Sequence, residues 1–143
     1  MSKLVIQNVG KLFPAQHGSE PTRALMPTSL DVADNDFITI LGPSGCGKST
    51  LLRIIGGLET ASEGKVLLDG VPVSGPGADR GFVFQSYTLF PWLTVQQNIA
   101  FGLREKGLAE AERLKIARDW TGRVGLAGFV DHFTKQLSGG MQQ

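Results

Sequence analysis

Nine residues in the first half of the chain, GPSGCGKST at positions 42–50, have the types and spacing needed to hold phosphate. They fit the pattern G-x-x-x-x-G-K-[ST], in which glycines let successive backbone N–H groups approach anionic oxygens. Lys48 adds a positive charge for the β- and γ-phosphates, and the Ser49 hydroxyl is a suitable ligand for Mg²⁺. The segment therefore predicts a site for a nucleoside triphosphate and its magnesium ion.

We expect every residue of this segment to line the nucleotide. Cys46 is the only cysteine of the chain, so no internal disulfide can form, and we interpret it as a small packing residue without a redox role. The alternative is a glycine-rich turn that carries Lys and Ser by chance. The predicted nucleotide-binding residues are Gly42, Pro43, Ser44, Gly45, Cys46, Gly47, Lys48, Ser49 and Thr50.

The phosphate-binding segment lies between a predicted strand and a predicted helix, which is the context that its pattern requires. Short apolar runs predict strands at 4–9, 37–41, 64–70 and 81–85. The stretch KSTLLRIIGGL predicts a helix that ends at a glycine pair. Its apolar face is predicted to contain Leu51, Leu52, Ile54 and Ile55.

The rest of the chain has the pattern of helices. Thr94 and Gln97 have the spacing of a capping box, which predicts a helix start. A second helix is predicted around AEAERLKIARDWTGRVG, with an apolar side formed by Leu114, Ala117, Trp120 and Val124. We therefore divide the domain into a phosphate-loop core with a β part, residues 1–90, and a helical subdomain, residues 91–143.

Composition excludes several classes of protein. The charged fraction is 19% and the net charge is +1, so the chain lacks the basic excess that nucleic-acid binding needs. No apolar run approaches the roughly 20 residues of a membrane span, and the start does not fit a signal peptide, so we expect a cytoplasmic protein. A GTPase is excluded because the sequence lacks the guanine-reading N-K-x-D.

Two further motifs follow the phosphate-binding segment. Gln85 ends the apolar run GFVFQ, and Ser138 begins SGG within LSGGMQQ, a stretch that in isolation could be a linker. In this order, the three motifs resemble the ATP-binding subunit of ABC transporters, over the chain from Leu4 onward. The stretches GPGADRGFVFQ and LFPWLTV are similar to the nitrate, sulfonate and taurine importer group.

This resemblance implies an α/β fold: an ABC-type P-loop NTPase core with an N-terminal β-rich part and an α-helical subdomain, the C-terminal part of the core missing. It implies that ATP and Mg²⁺ are bound, with Gln85 and Ser49 as metal contacts and Phe13 stacked on adenine. Ser138, Gly139 and Gly140 would close over the γ-phosphate held by a second subunit in a head-to-tail dimer. Catalysis would then involve Lys48, Gln85 and these three signature residues.

The resemblance also implies a membrane partner. Residues 87–92 place Tyr87, Phe90 and Trp92 close together, where an importer contacts its transmembrane permease subunit on the inner face of the membrane. A satellite hydrophobic cluster is the open alternative. No nucleic-acid partner is expected.

Two elements of the family are expected after the signature and are not found here: an apolar strand ending in Asp-Glu (Walker B) and a switch histidine. His17 and His132 are interpreted as surface residues, and with only residues 141–143 left we expect no helix after the signature. We interpret the chain as an N-terminal fragment of a transport ATPase that alone is inactive. The alternatives are a nucleotide-binding module without turnover and a soluble, non-transport ABC ATPase.

Overall fold

The structure, a computed structural model, describes residues 2–15, 18, 20–104 and 106–143. It forms two compact units, Met1–Phe82 and Val83–Gln143. The division after residue 90 that the sequence suggested remains a prediction. His17 lies outside the described residues.

The first unit contains an antiparallel sheet of four strands, β1 (Ser2–Phe13), β2 (Thr22–Ala33), β3 (Glu63–Leu68) and β4 (Val71–Pro72). The strand order is β2-β1-β3-β4, so β1 is paired on both sides. Ile6 lies opposite Leu30 in β2 and Val66 in β3. The predicted first strand is confirmed, and the run 64–70 forms β3 over a slightly earlier range.

The sheet packs against one helix, α1 (Lys48–Ile55). Leu51 and Ile54 are one turn apart and are both buried against the sheet, in a core with Ile6, Val9, Leu25 and Val66. Leu52 is 45% exposed, so the prediction that it shared the buried face is wrong. It lies about 100° around the helix from Leu51, which turns it away from the sheet.

Two predicted strands, 37–41 and 81–85, are not strands in the described structure. Phe37 and Leu41 are 92% and 86% exposed, and Val83 is 80% exposed. Within the described residues, no ladder joins 37–41 to another segment. A strand requires a hydrogen-bonded neighbour, which an apolar run cannot supply by itself.

The second unit is helical, with α2 (Val95–Arg104), α3 (Glu110–Arg123) and α4 (Gly139–Gln142) and 3₁₀ turns at Ala127–Phe129 and Thr134–Gln136. The predicted capping box is confirmed. The backbone N–H of Thr94 donates to Gln97 Oε1 at 2.9 Å, and the N–H of Gln97 donates to Thr94 Oγ1 at 3.3 Å. No helix among the described residues is long and apolar enough to cross a membrane.

The buried side of α3 differs from the prediction. Ala117 and Thr121 are buried, whereas Trp120 and Val124 are 50% and 59% exposed. Trp120 and Val124 instead line an apolar groove of about 520 Å³, together with Leu137 and other residues of this unit. The buried side of α3 is thus formed by small residues, and the prediction that Trp120 and Val124 belong to it is wrong.

Two smaller expectations are also corrected. His132 is half-buried rather than at the surface, with its ring centroid 5.1 Å from that of Phe129. A single helical turn, α4, does follow Ser138, because the N–H of Gln142 reaches the Ser138 carbonyl at 3.0 Å. The Gln142 side chain also donates to the carbonyls of Thr134 and Leu137, which ties α4 to the preceding turn.

Candidate nucleotide-binding site

The phosphate-binding segment forms a loop that leads into α1. Gly45 and Gly47 have φ angles of +83° and +97°, in the left-handed region that glycine adopts without strain. Gly47 is also the N-cap of α1. A β-carbon at Gly47 would lie 2.5 Å from the Ala24 carbonyl oxygen, whereas one at Gly45 would meet nothing within 4 Å. Backbone conformation requires glycine at both positions, and close packing against β2 also requires it at Gly47.

Lys48 is the first residue of α1, and its side chain folds back along the loop. Its ammonium donates to the carbonyl oxygens of Gly42 and Pro43, both at 2.7 Å, and lies 3.6 Å from Cys46 Sγ. The positive charge of Lys48 therefore lies among residues that the sequence predicted to bind phosphate.

The residues at the start of α1 fit a polyphosphate. The first turn contains no acidic side chain, and the first N–H groups of any α-helix lack partners within the helix. Ser49 is exposed, with its hydroxyl in the same turn. No group of three or more His, Cys, Asp or Glu in the described part of the chain could hold a metal by itself. The Ser49 hydroxyl is an oxygen ligand of the kind that Mg²⁺ accepts when phosphate oxygens supply other ligands.

Phe13 lies in the same unit, at the end of β1, and is 38% exposed. Sequence reasoning missed its neighbour Lys11, which is only 8% exposed and has its ammonium 5.0 Å from the centroid of the Phe13 ring. The Lys11 ammonium donates to Glu59 Oε1 at 2.6 Å and to the Thr60 carbonyl at 2.7 Å. Lys11 and Phe13 are two residues apart on one strand, so their side chains lie on the same face of the sheet. This spacing was the sequence signal that could have indicated their contact.

The Lys11–Glu59 pair predicts a pH dependence of stability. The hydrogen bond from Lys11 lowers the pKa of the Glu59 carboxyl from its ordinary value of 4.5. A lowered pKa in the folded state stabilises the fold above pH 4.5, and this stabilisation is lost as the pH falls through the folded-state pKa. Urea unfolding between pH 7 and pH 3 should therefore show a steeper acid loss for the wild type than for Glu59→Gln. Equal slopes would contradict the prediction.

Gln85 and the signature residues belong to the second unit. Gln85 is exposed in an irregular segment, and Ser138, Gly139 and Gly140 are exposed at the start of α4. A β-carbon at Gly139 would lie 2.5 Å from the Tyr87 hydroxyl. The structure therefore brings the signature next to Tyr87, a contact that the sequence did not indicate.

The aromatic segment 87–92 is partly packed and partly exposed. The Phe90 ring centroid lies 4.4 Å from that of Phe101 in α2 and 5.5 Å from that of Trp92. Tyr87 and Trp92 are 53% and 69% exposed. Phe90 thus belongs to a local aromatic cluster, as the alternative interpretation predicted, whereas Tyr87 and Trp92 are mostly exposed.

Asn98 holds this aromatic segment, and sequence reasoning missed it. The two N–H groups of its side-chain amide are shared among the carbonyls of Phe90, Leu93 and Thr94, and its carbonyl oxygen accepts from the Phe90 N–H at 2.8 Å. The sequence gives only an asparagine within a helix, where a polar side chain is usually solvated.

We expect Asn98→Ala to lower the free energy of unfolding of the chain by about 2 kcal/mol, because it leaves part-buried backbone groups without partners. Chymotrypsin cleavage near the aromatic segment should also accelerate. Gln97→Ala, which removes a single exposed capping contact, is the matched control and should cost about 1 kcal/mol or less. Equal losses for the two variants would contradict the assigned role of Asn98.

Comparison with known proteins identifies the class. The family model described as ABC transporter matches residues 25–143. A dimeric ATP-binding cassette in a post-hydrolysis state, bound to ADP and Pi, superposes with a TM-score of 0.84 at 35% identity, covering 97% of this chain and 65% of that one. The chain belongs to the ABC transporter family, and the expected ABC-type α/β fold is confirmed.

Several curated proteins are similar to this chain in sequence. The chain is 55% identical over 141 residues to an uncharacterized ABC transporter ATP-binding protein of Methanocaldococcus jannaschii, covering 99% of this chain and 52% of the relative. It is 46% identical to the taurine import ATP-binding protein TauB of Burkholderia pseudomallei, covering 100% of this chain and 54% of the relative. TauB of Yersinia pestis is 48% identical, with 95% and 52% covered. The chain thus spans about half the length of these relatives.

Proposed function

We propose that this chain is the nucleotide-binding part of an ATP-binding subunit that couples ATP binding and hydrolysis to import of a small solute. The observation that carries the proposal is the loop at 42–47, where two left-handed glycines lead into α1 and the Lys48 ammonium lies back along the loop. Similarity to the two taurine import proteins supports the import direction.

Within this proposal each site residue has a role. Residues 42–50 hold the phosphates of ATP, and Ser49 and Gln85 contact its Mg²⁺, which stabilises charge on the phosphates when bound. Phe13 stacks on adenine, which suits its partial exposure.

Two surfaces of the second unit meet partners in this proposal. Ser138, Gly139 and Gly140 contact the nucleotide held by a second ATP-binding subunit in a head-to-tail dimer, and the dimeric state of the similar cassette supports this arrangement. The exposed Tyr87 and Trp92 contact a transmembrane permease, which places the subunit at the inner face of the cell membrane.

The 143 residues themselves are proposed to bind nucleotide without turnover. The sequence contains no Asp-Glu pair, the pair with which this family holds Mg²⁺ and polarises the attacking water. A binding module is therefore the second candidate function for these residues.

The proposal is tested by equilibrium dialysis of the chain with radiolabelled Mg-ATP, together with an assay of phosphate release. We expect saturable binding that excess ADP displaces, and no phosphate release above background. Absence of saturable binding would refute the nucleotide site. Phosphate release that disappears in Lys48→Ala would refute the second candidate and leave the hydrolytic function.

A further inference from the structure

Lys11 is a nearly buried cation in the first unit, and its charge faces an aromatic ring. Its ammonium is fixed by an ion pair with Glu59 and a hydrogen bond to the Thr60 carbonyl. Two of its three N–H donors are thus occupied by oxygen acceptors. The same ammonium lies 5.0 Å from the centroid of the Phe13 ring, within the distance at which a cation is attracted to an aromatic face.

The Lys11–Glu59 ion pair is more buried than the Arg23–Glu63 ion pair, which joins two strands of the sheet. The side chains of Lys11 and Glu59 are 10% and 28% exposed, against 43% and 45% for the Arg23–Glu63 pair. A surface pair contributes little and is screened by salt, whereas a nearly buried pair holds its charge in a fixed place. The two oxygen acceptors therefore hold the cation beside the ring.

A cation on one face of an aromatic ring changes what the ring can bind. It draws electron density from the ring, which reduces the repulsion between the ring and an electron-rich aromatic base on the free face. It also limits the tilting of the ring. Phe13 is 38% exposed and so retains surface on which a base can stack.

We propose that Lys11 is a positioning residue for base binding: held by Glu59 and Thr60, its ammonium orients and polarises the Phe13 ring and so sets the affinity for the adenine ring but not for the phosphates. This inference rests on the proposed function, because it requires that Phe13 stacks on the base of a nucleotide. Lys11 would act on the base through Phe13 and lies outside the three motifs of the chain.

The test compares Mg-ATP with inorganic tripolyphosphate and Mg²⁺, a ligand that has the phosphates without the base. The main variant is Lys11→Met with Glu59→Gln, which removes the cation without leaving an unpaired buried carboxylate. The matched control is Arg23→Met with Glu63→Gln, which removes an exposed ion pair from the same sheet. Both ligands are measured by equilibrium dialysis on the 143-residue chain.

We expect the main variant to weaken Mg-ATP binding about three- to tenfold while tripolyphosphate binding changes less than about twofold. Lys11→Arg should restore most of the ATP affinity. In a chain that already carries Phe13→Leu, removing the Lys11–Glu59 pair should cause no further loss of Mg-ATP affinity. The control should leave both affinities within about twofold of the wild type.

Equal losses for the two ligands would show a merely structural role and overturn the inference, as would unchanged ATP affinity. A wild-type chain that binds neither ligand refutes the proposed function itself. A wild-type chain that binds both ligands equally keeps the phosphate site, but refutes the stacking of adenine on Phe13 and with it the role of Lys11. If the main variant unfolds, ATP but not tripolyphosphate should still shift the Lys11 side-chain carbon resonances of the wild type, and an absent shift would overturn the inference.

Discussion

Lys48→Ala will lower the affinity of the chain for Mg-ATP by about tenfold to a hundredfold. A charge-assisted hydrogen bond to phosphate contributes about 1.5–3 kcal/mol, and Lys48 is the only Lys or Arg within residues 42–50. Thermal stability without nucleotide should change little, because the two carbonyls that Lys48 contacts are in an exposed loop and can bind water instead. Equilibrium dialysis and thermal denaturation measure the two effects separately.

The matched control for Lys48→Ala is Lys65→Ala, which removes the same charge from an exposed position in β3. It should leave ATP affinity within about twofold of the wild type, since an exposed charge is screened by salt. A similar loss in both variants would show that net charge, and not the position of Lys48, determines nucleotide binding.

Gly47→Ala will destabilise the first unit by about 2–5 kcal/mol and abolish detectable ATP binding. The left-handed backbone costs a non-glycine residue about 1–2 kcal/mol. The added β-carbon also meets the Ala24 carbonyl oxygen at 2.5 Å and Leu25 Cδ1 at 3.0 Å, and overpacking of this kind costs about 1–3 kcal/mol. Urea unfolding followed by circular dichroism measures the loss.

Gly45→Ala separates the two causes. Gly45 also has a positive φ angle, but a β-carbon there would meet nothing within 4 Å. Gly45→Ala should therefore lower the free energy of unfolding by about 1–2 kcal/mol, which is the cost of the left-handed backbone without any overpacking. If Gly45→Ala and Gly47→Ala lowered the free energy of unfolding equally, the close approach of Gly47 to β2 would not contribute to the cost of substitution.

Local patterns predicted the start of α1 and the capping box before α2, but not the conformation of residues 37–41, which precede the phosphate-binding segment. The start of α1 at Lys48 and the capping box at Thr94 and Gln97 depend on residues that are at most a turn apart in sequence. Helix termini depend on residues that are close together in the sequence, so they can be predicted from a short stretch of it.

Features that depend on distant residues could not be predicted. Lys11 and Glu59 are 48 positions apart, and neither residue type indicates a buried pair. The run 37–41 has the composition of a strand, but pairing depends on a neighbour that composition does not specify. Trp120 has the period of a buried helix face, yet Thr121 is buried instead, because the side of a helix that packs depends on neighbours that its own pattern does not specify.

The two hydrogen bonds from the Lys48 ammonium to Gly42 and Pro43 have a consequence for which anions this loop can retain. Two of the three N–H groups of the ammonium already have carbonyl acceptors at 2.7 Å, so a phosphate that takes over one of these two gains only the difference between an anionic and a neutral acceptor. A single phosphate ion gains this difference once and also loses its own hydration. A triphosphate adds contacts to several backbone N–H groups at the same time. We therefore expect these internal acceptors to weaken the binding of a single phosphate more than the binding of a longer phosphate chain.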